Sequence, residues 1–453
     1  MNNSNPNRIG KLKFWAWQSR GISTAINFLI MSWLMFYATD TLVMPAALVG
    51  TLLMASRIVD AFFDLPAGLI IDRTNTRFGK ARPYEFAVIG MWLTTWLLFS
   101  IPGGASLTIQ AIWLVIFYTL TSSIFGTALN AGNNVYMIRA FGTDGQRVRL
   151  TSFGGFVNMI FAMVVSISLP LLVSNFATSP ASWSMLVLMF AIPMSIIGIM
   201  RFVFVKETEQ VIETSKERAN FKDVWSVLKA NKFLRVVAVL SFVSTAASSL
   251  GASQFFFEWI MGDVGSMWIM GVMGFAAMPM VIFFPKILKK FTKGQLVIFG
   301  SIQNVVAGLI MFTAGLNITM PVIIISGLFS AFAALPIIIL ADLILLDVGT
   351  YNAYKSGKRM DGTLGSIRNF LGLVGGAVAP GLLGIMLGLS GYDGNLYVQP
   401  DSAIFMIRAA MGLFPAIMFA IVAVVFILFY KLDKQLPEIN EALVSQKVDN
   451  DEE

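Results

Sequence analysis

The 453-residue chain contains no cysteine and no histidine, and only 13% of its residues are charged. Without cysteine there is neither a disulfide framework nor thiolate chemistry, and composition says nothing of redox compartment. Without histidine the commonest proton carrier at neutral pH is missing, so any proton handling falls to carboxylates. The chain also lacks a GxxxxGK[ST] phosphate loop and a GxSxG nucleophile elbow. These absences argue against an enzyme, exclude transport driven by ATP hydrolysis within this chain, and leave no metal or organic cofactor to be expected. What the chain has in excess is apolar: 57% of residues are hydrophobic and mean hydropathy is +0.76. That balance lies far outside soluble globular domains and marks a polytopic membrane protein.

Long apolar runs, the first near 13–39 and the last near 402–430, give about twelve spans on the ~20-residue criterion for a helix crossing the bilayer. Basic residues crowd every second connection, as in Arg73, Arg77, Lys80 and Arg82, then Arg147 and Arg149, then Lys286, Lys289, Lys290 and Lys293. The alternate connections carry almost none, so the positive-inside rule places both termini in the cytoplasm. The formal charge of +7 is then explained by topology and contact with anionic lipid, with no role for nucleic acid. The expectation is an all-α protein of the cell (inner) membrane, monomeric, with twelve transmembrane helices in two six-helix bundles. The bundles are expected at 1–205 and 233–430, joined by a cytoplasmic linker at 206–232 in which Phe221, Val224, Trp225 and Leu228 have the spacing of a surface amphipathic helix. The tail 431–453, acidic at its end, is expected to be disordered. Asp72–Lys80 and Pro285–Gly294 are basic loops that each follow an even-numbered span, a faint internal repeat.

The most informative stretch is Ser56-Arg57-Ile58-Val59-Asp60-Ala61-Phe62-Phe63-Asp64, because it sets an arginine and two carboxylates inside an apolar span. A charge at the bilayer centre costs ~2.5–3.5 kcal/mol on insertion scales, so such a cluster is a functional-site candidate by default. Arg57, Asp60 and Asp64 stack on one helix face, with the acids one turn apart. Two carboxylates that close repel, so one is readily protonated or the pair holds a monovalent cation. Asn133-Asn134 reads as helix-to-helix glue, and the glycines of Gly372-Leu373-Val374-Gly375-Gly376 as close helix contacts.

Three motifs together resemble the glycoside-pentoside-hexuronide:cation symporters, the melibiose permease group of the major facilitator superfamily. They are Arg57-x-x-Asp60-Ala61-x-x-Asp64, the loop Thr76-Arg77-Phe78-Gly79-Lys80-Ala81-Arg82-Pro83, and Asp347-x-x-x-Tyr351-x-x-x-Lys355-Ser356-Gly357-x-Arg359. The resemblance implies the major facilitator fold and cation-coupled symport of a small polar solute, a glycoside, sugar or sugar acid, by alternating access. It implies a coupling site at Asp60 and Asp64 with Arg57 and Thr119. Phe63 stands where the family commonly has Asn or Thr, which removes an oxygen ligand and favours a proton over sodium. A charge network that holds the cytoplasmic side shut is implied at Asp72, Arg73, Arg77, Lys80, Asp347, Lys355 and Arg359. The family's sugar-binding acids and arginine are replaced here at Thr24, Ser122 and Gly154-Gly155, leaving Thr24, Asn27, Ser122, Asn130, Asn158 and Arg368 as substrate candidates. That replacement counts against a galactoside and raises the case for a carboxylated substrate meeting Arg57 or Arg368, while the resemblance still points first to a glycoside or related sugar. The competing reading keeps the fold and changes the cargo to an amphiphile, reverses direction to export, or turns the chain into a sensor.

Overall fold

A computed structural model describes residues 9–74, 76–207, 231–313, 319–357 and 360–452. The regular structure of those residues is helical, with one isolated bridge between Thr76 and Gly79. The first six rods are α1 (Lys11–Thr41), α2 (Ala46–Arg73), α3 (Ala87–Leu98, entered through a 3-10 turn at Arg82–Phe86), α4 (Leu107–Ala140), α5 (Asp144–Phe176) and α6 (Pro180–Phe204). The second six are α7 (Lys232–Trp259), α8 (Trp268–Ala277, continued as Pro279–Leu288), α9 (Lys293–Thr313), α10 (Met320–Ser356), α11 (Asp361–Leu389) and α12 (Asp401–Phe429). A thirteenth, α13 (Leu432–Glu452), follows. Among the described residues nine are long and apolar enough to cross a membrane, and α2, α3 and α8 complete the twelve that hydropathy predicts. The expected amphipathic helix at 221–229 lies outside the described residues.

Local chemistry sets the ends. Asn231 caps α7 by accepting from the backbone N–H groups of Phe233 and Leu234, both at 3.1 Å. Ser179 and Ser182 form a reciprocal capping box on α6. α7 is interrupted at Gly251, whose φ of +74° is open to glycine at little cost.

The chain divides into two compact units that are not contiguous in sequence. The first holds Met1–Ser215 together with Phe257–Gly271 and Pro380–Ala403, and the second holds Lys216–Phe256, Val272–Ala379 and Ile404–Glu453. Inside the first unit, α2 and the end of α11 meet backbone to backbone: a β-carbon at Gly384 would lie 2.6 Å from the Gly50 Cα. Inside the second, Gly375 approaches the Phe242 carbonyl of α7 in the same manner. The glycine-rich patches are therefore close helix contacts, the use small residues have in membrane proteins.

The tail is a correction to the sequence reading, since residues 432–452 are helical and not disordered. Leu432 and Ile439 are buried in the second unit's core with Phe233, Ile344 and Phe426, and the Asp433 carboxylate accepts from Gly294 N–H at 2.7 Å. The acidic end hid an apolar stripe of Leu432, Leu436, Ile439 and Leu443.

Two outcomes test this packing. Gly384→Leu must push α11 from α2, and an overpacked site of this kind costs about 1–3 kcal/mol; thermal unfolding in detergent should show the loss, and a variant as stable as the parent would refute the contact. The second concerns Asp263, in the turn before α8. Burial pushes its carboxyl up, but hydrogen bonds from Ser266, Ser174 and the Gly265 and Ser266 N–H groups outweigh it and leave the group below the usual carboxylate range. A depressed pKa stabilises above the unfolded value and is lost as pH falls through the folded one. Asp263→Asn should therefore flatten the acid limb of the stability profile between those two values, and an unchanged limb counts against it.

Candidate functional site

The charged stretch of α2 faces α4 inside the first unit. Ser122 donates to the Asp60 carboxylate at 3.0 Å, and Ser123 donates to the same oxygen. Consecutive residues of an α-helix point ~100° apart and do not ordinarily share a target. Here residues 120–126 form a π-helical segment, and the widened turn lets both hydroxyls reach one carboxylate; such bulges recur at functional sites. Arg57 donates through Nε to the Tyr118 hydroxyl, one residue before Thr119. Asp64 is carried by α2, but its side chain lies outside those described, as do those of Asp72 and Arg73.

Most of the substrate candidates from sequence have other work. The Thr24 hydroxyl bonds back to the Arg20 and Gly21 carbonyls at 3.0 and 3.1 Å. Asn27 donates to Thr95 at 2.8 Å and is buried. Asn158 packs against Gly21, with its carbonyl oxygen buried and without a hydrogen-bond partner. Asn130 is exposed on α4. Ser122 donates to Asp60, as described above. Arg368 alone lines a sizeable cavity, in the second unit.

The gating candidates fall into two matching arrangements. In the first unit the Glu207 carboxylate, just past α6, accepts from the N–H groups of Lys80, Ala81 and Arg82 at 3.0, 2.8 and 2.7 Å. It holds the 76–82 loop, where Arg77 stacks on Phe78, against the start of α3. In the second unit Asp433, just past α12, does the same for Gly294 at the start of α9, while Lys293 Nζ pairs with Asp347 at 2.6 Å. Each half thus ends its sixth helix on a carboxylate that caps the entry to its third. Lys355 sits in the last turn of α10, and Arg359 lies outside the described residues.

Two buried constellations were missed. Arg20 (α1), Glu85 (before α3) and Arg201 (α6) form an ion triad with Arg–Glu distances of 3.7 and 3.6 Å and side chains at most 8% exposed. Asn133 on α4 accepts from both guanidinium groups at 2.6 and 2.9 Å, and Arg201 stacks 3.3 Å over the Trp17 ring. The second is Asp40, which accepts from Trp259 at 2.9 Å, Tyr392 at 2.6 Å and Thr39 at 2.6 Å. Burial, with the carboxylate beside it, holds the Tyr392 hydroxyl's pKa far above its usual range. Both announced themselves by the rule that found Asp60, a charge inside or flanking an apolar run; their partners, far off in sequence, did not.

Comparisons bear on this geometry. The model of a family described as MFS/sugar transport protein matches residues 22–434. The isoprimeverose transporter of Lactiplantibacillus pentosus is 27% identical over 424 residues, covering 91% of this chain and 86% of that one. The glucuronide carrier protein homolog of Escherichia coli (strain K12) is 26% identical, with 90% and 89% covered. Among solved structures, a D-xylose-proton symporter superposes with a TM-score of 0.64 at 14% identity over 93% of this chain and 97% of that one, a likeness of fold.

The triad predicts its own fragility. Glu85→Gln would leave two buried guanidinium groups without their carboxylate, a loss of about 3–5 kcal/mol for a broken buried pair. Thermal unfolding of the detergent-solubilised protein reads it, and an unfolding temperature equal to the parent's would show that the pairing is immaterial.

Proposed function

The chain belongs to the MFS/sugar transport protein family and is a multi-pass membrane transporter, not an enzyme; from that premise we propose that it is a proton-coupled symporter of a small sugar, with Asp60 as the proton-carrying group. The observation that carries the reading is the setting of Asp60: a carboxylate within an apolar helix, met by the Ser122 and Ser123 hydroxyls. Protonation removes the penalty of carrying a bare carboxylate through an occluded state. Serine hydroxyls turn either way, so the same pair donates to the carboxylate and accepts from the acid. Asp64, one turn on, raises the cost of ionising both acids. Transport then proceeds by alternating access, with the transition permitted when the coupling and sugar sites are both empty or both loaded. Both termini face the cytoplasm by the distribution of Lys and Arg, and the monomer is the working unit.

Sodium as the coupling ion is the second reading, and Ser122 and Ser123 favour it, since their oxygens supply hard ligands beside the carboxylate. Phe63, in place of an oxygen-bearing side chain, favours the proton. Uptake into energised vesicles with proton and sodium gradients imposed separately decides between them. Asp60→Asn and Asp64→Asn should each reduce concentrative uptake to the equilibrium level while the protein stays folded and inserted. Uptake against a gradient in both variants would sink the coupling assignment.

A further inference from the structure

The second unit holds a cavity of about 510 Å³ lined by Ser241, Ser244 and Thr245 of α7 and Arg368 and Asn369 of α11, with apolar wall from α10. That volume falls in the ordinary range of small-ligand sites. The hydroxyl oxygens of Ser241 and Ser244 are buried and have no hydrogen-bond partner, a state that a ligand rich in hydroxyl groups relieves. Among the described residues the cavity has one cation, Arg368, and it is already matched: its Nη1 donates to the Asp342 carboxylate of α10. Asp342 lies four residues past the midpoint of the 37-residue α10, about 6 Å along the axis, and its side chain is 67% exposed. A carboxylate so exposed on an apolar helix is housed by water and not by lipid. None of the described residues lining the cavity is acidic, so among them the Arg368–Asp342 pair leaves the polar wall without net charge.

We propose that Asp342 is a specificity-determining residue: by occupying Arg368 it sets this cavity for an uncharged glycoside and turns away sugars that bear a carboxylate. The inference rests on the reading of the chain as a sugar symporter and deepens it. A uronic acid entering the cavity would have to take Arg368 from Asp342, leaving two carboxylates beside one guanidinium, and like charges in a confined site oppose each other. A neutral sugar meets no such competitor and needs only the serine and threonine hydroxyls and the Asn369 amide. Loss of the family's sugar-binding acids thus does not by itself point to an acidic substrate; the one arginine of this cavity is spoken for.

The test is equilibrium binding by the purified full-length transporter in detergent. The probes are three matched pairs: methyl β-D-glucoside and its glucuronide, methyl β-D-galactoside and its galacturonide, and methyl β-D-xyloside with methyl β-D-glucuronide. The wild-type chain should bind at least one glycoside in preference to its acid, and Asp342→Asn should lower that preference by about tenfold or more. Asp342→Ser, which removes charge and length together, should do likewise, so a single variant that fails to fold leaves the test intact. Arg368→Gln added to Asp342→Asn should abolish the gain in acid binding. Wild-type preference for the acid, or an unchanged preference in both Asp342 variants, overturns the proposal while leaving sugar transport standing. Silence toward every probe in folded wild-type and variant protein overturns the sugar reading and the proposal with it.

Discussion

A charge inside a membrane-spanning helix must find its partner within the chain, because hydrocarbon offers none. The polar architecture described above follows from that constraint. Asp60 is met by Ser122 and Ser123, and Arg57 by Tyr118. Asp40 is met by Trp259, Tyr392 and Thr39. Arg201 and Arg20 share Glu85 and Asn133. Arg368 takes Asp342, and Lys293 takes Asp347. The pairings differ in a way that matters for function. Where a carboxylate meets a guanidinium or an ammonium, the charge is matched and protonation is opposed. Asp60 lies near Arg57 on its own helix as well, but the oxygens it meets directly in Ser122 and Ser123 turn either way and house the neutral acid too.

The same constraint shapes the backbone. An unbroken α-helix sets consecutive side chains ~100° apart, which is at odds with both Ser122 and Ser123 reaching Asp60. The π-helical turn at 120–126 resolves the conflict locally. A second π-helical segment, at Tyr37–Thr41, carries Asp40, and a third, Ala409–Leu413, follows Arg408. All three lie within or directly after a charged or hydroxyl-bearing stretch of a spanning helix, where one extra residue per turn redirects a side chain toward a partner.

The outlines of this protein were open to a reader of the sequence, because a span announces itself by length and hydropathy alone. So was Asp60, since a carboxylate within an apolar run is visible without knowing what it touches. Arg20, Asp40, Glu85 and Arg201 sit in or beside apolar runs with the same signal, but none forms a pair of charges one turn apart inside a span as Asp60 and Asp64 do. Their partners lay beyond reach: Asp40 is 352 positions from Tyr392, and Arg201 is 68 from Asn133. The tail was misjudged because its acidic composition outweighed a period-3.6 stripe that only burial makes plain. Thr24 and Asn27 hydrogen-bond within the first unit, contacts to distant or main-chain partners that residue type alone does not reveal.

The two halves treat their loops alike. Glu207 after α6 and Asp433 after α12 cap the entries to α3 and α9, positions that correspond when the chain is folded back on its 6 + 6 plan. The faint repeat of two basic loops in sequence is therefore half of a motif, and the acid that completes it sits a whole bundle later in the chain. An anionic side chain at exposed N–H groups is favoured by the helix dipole and by direct hydrogen bonding together. Each cap ties the last helix of its half to the loop after the second helix. The helix α2, which carries Asp60 and Asp64, leads toward that loop, so the Glu207 cap and Asp60 lie along one stretch of chain. On the proposal that Asp60 carries the proton, any influence of its ionisation on the Glu207 cap is matched by an equal influence of the cap on Asp60, because coupling between two sites runs equally in both directions.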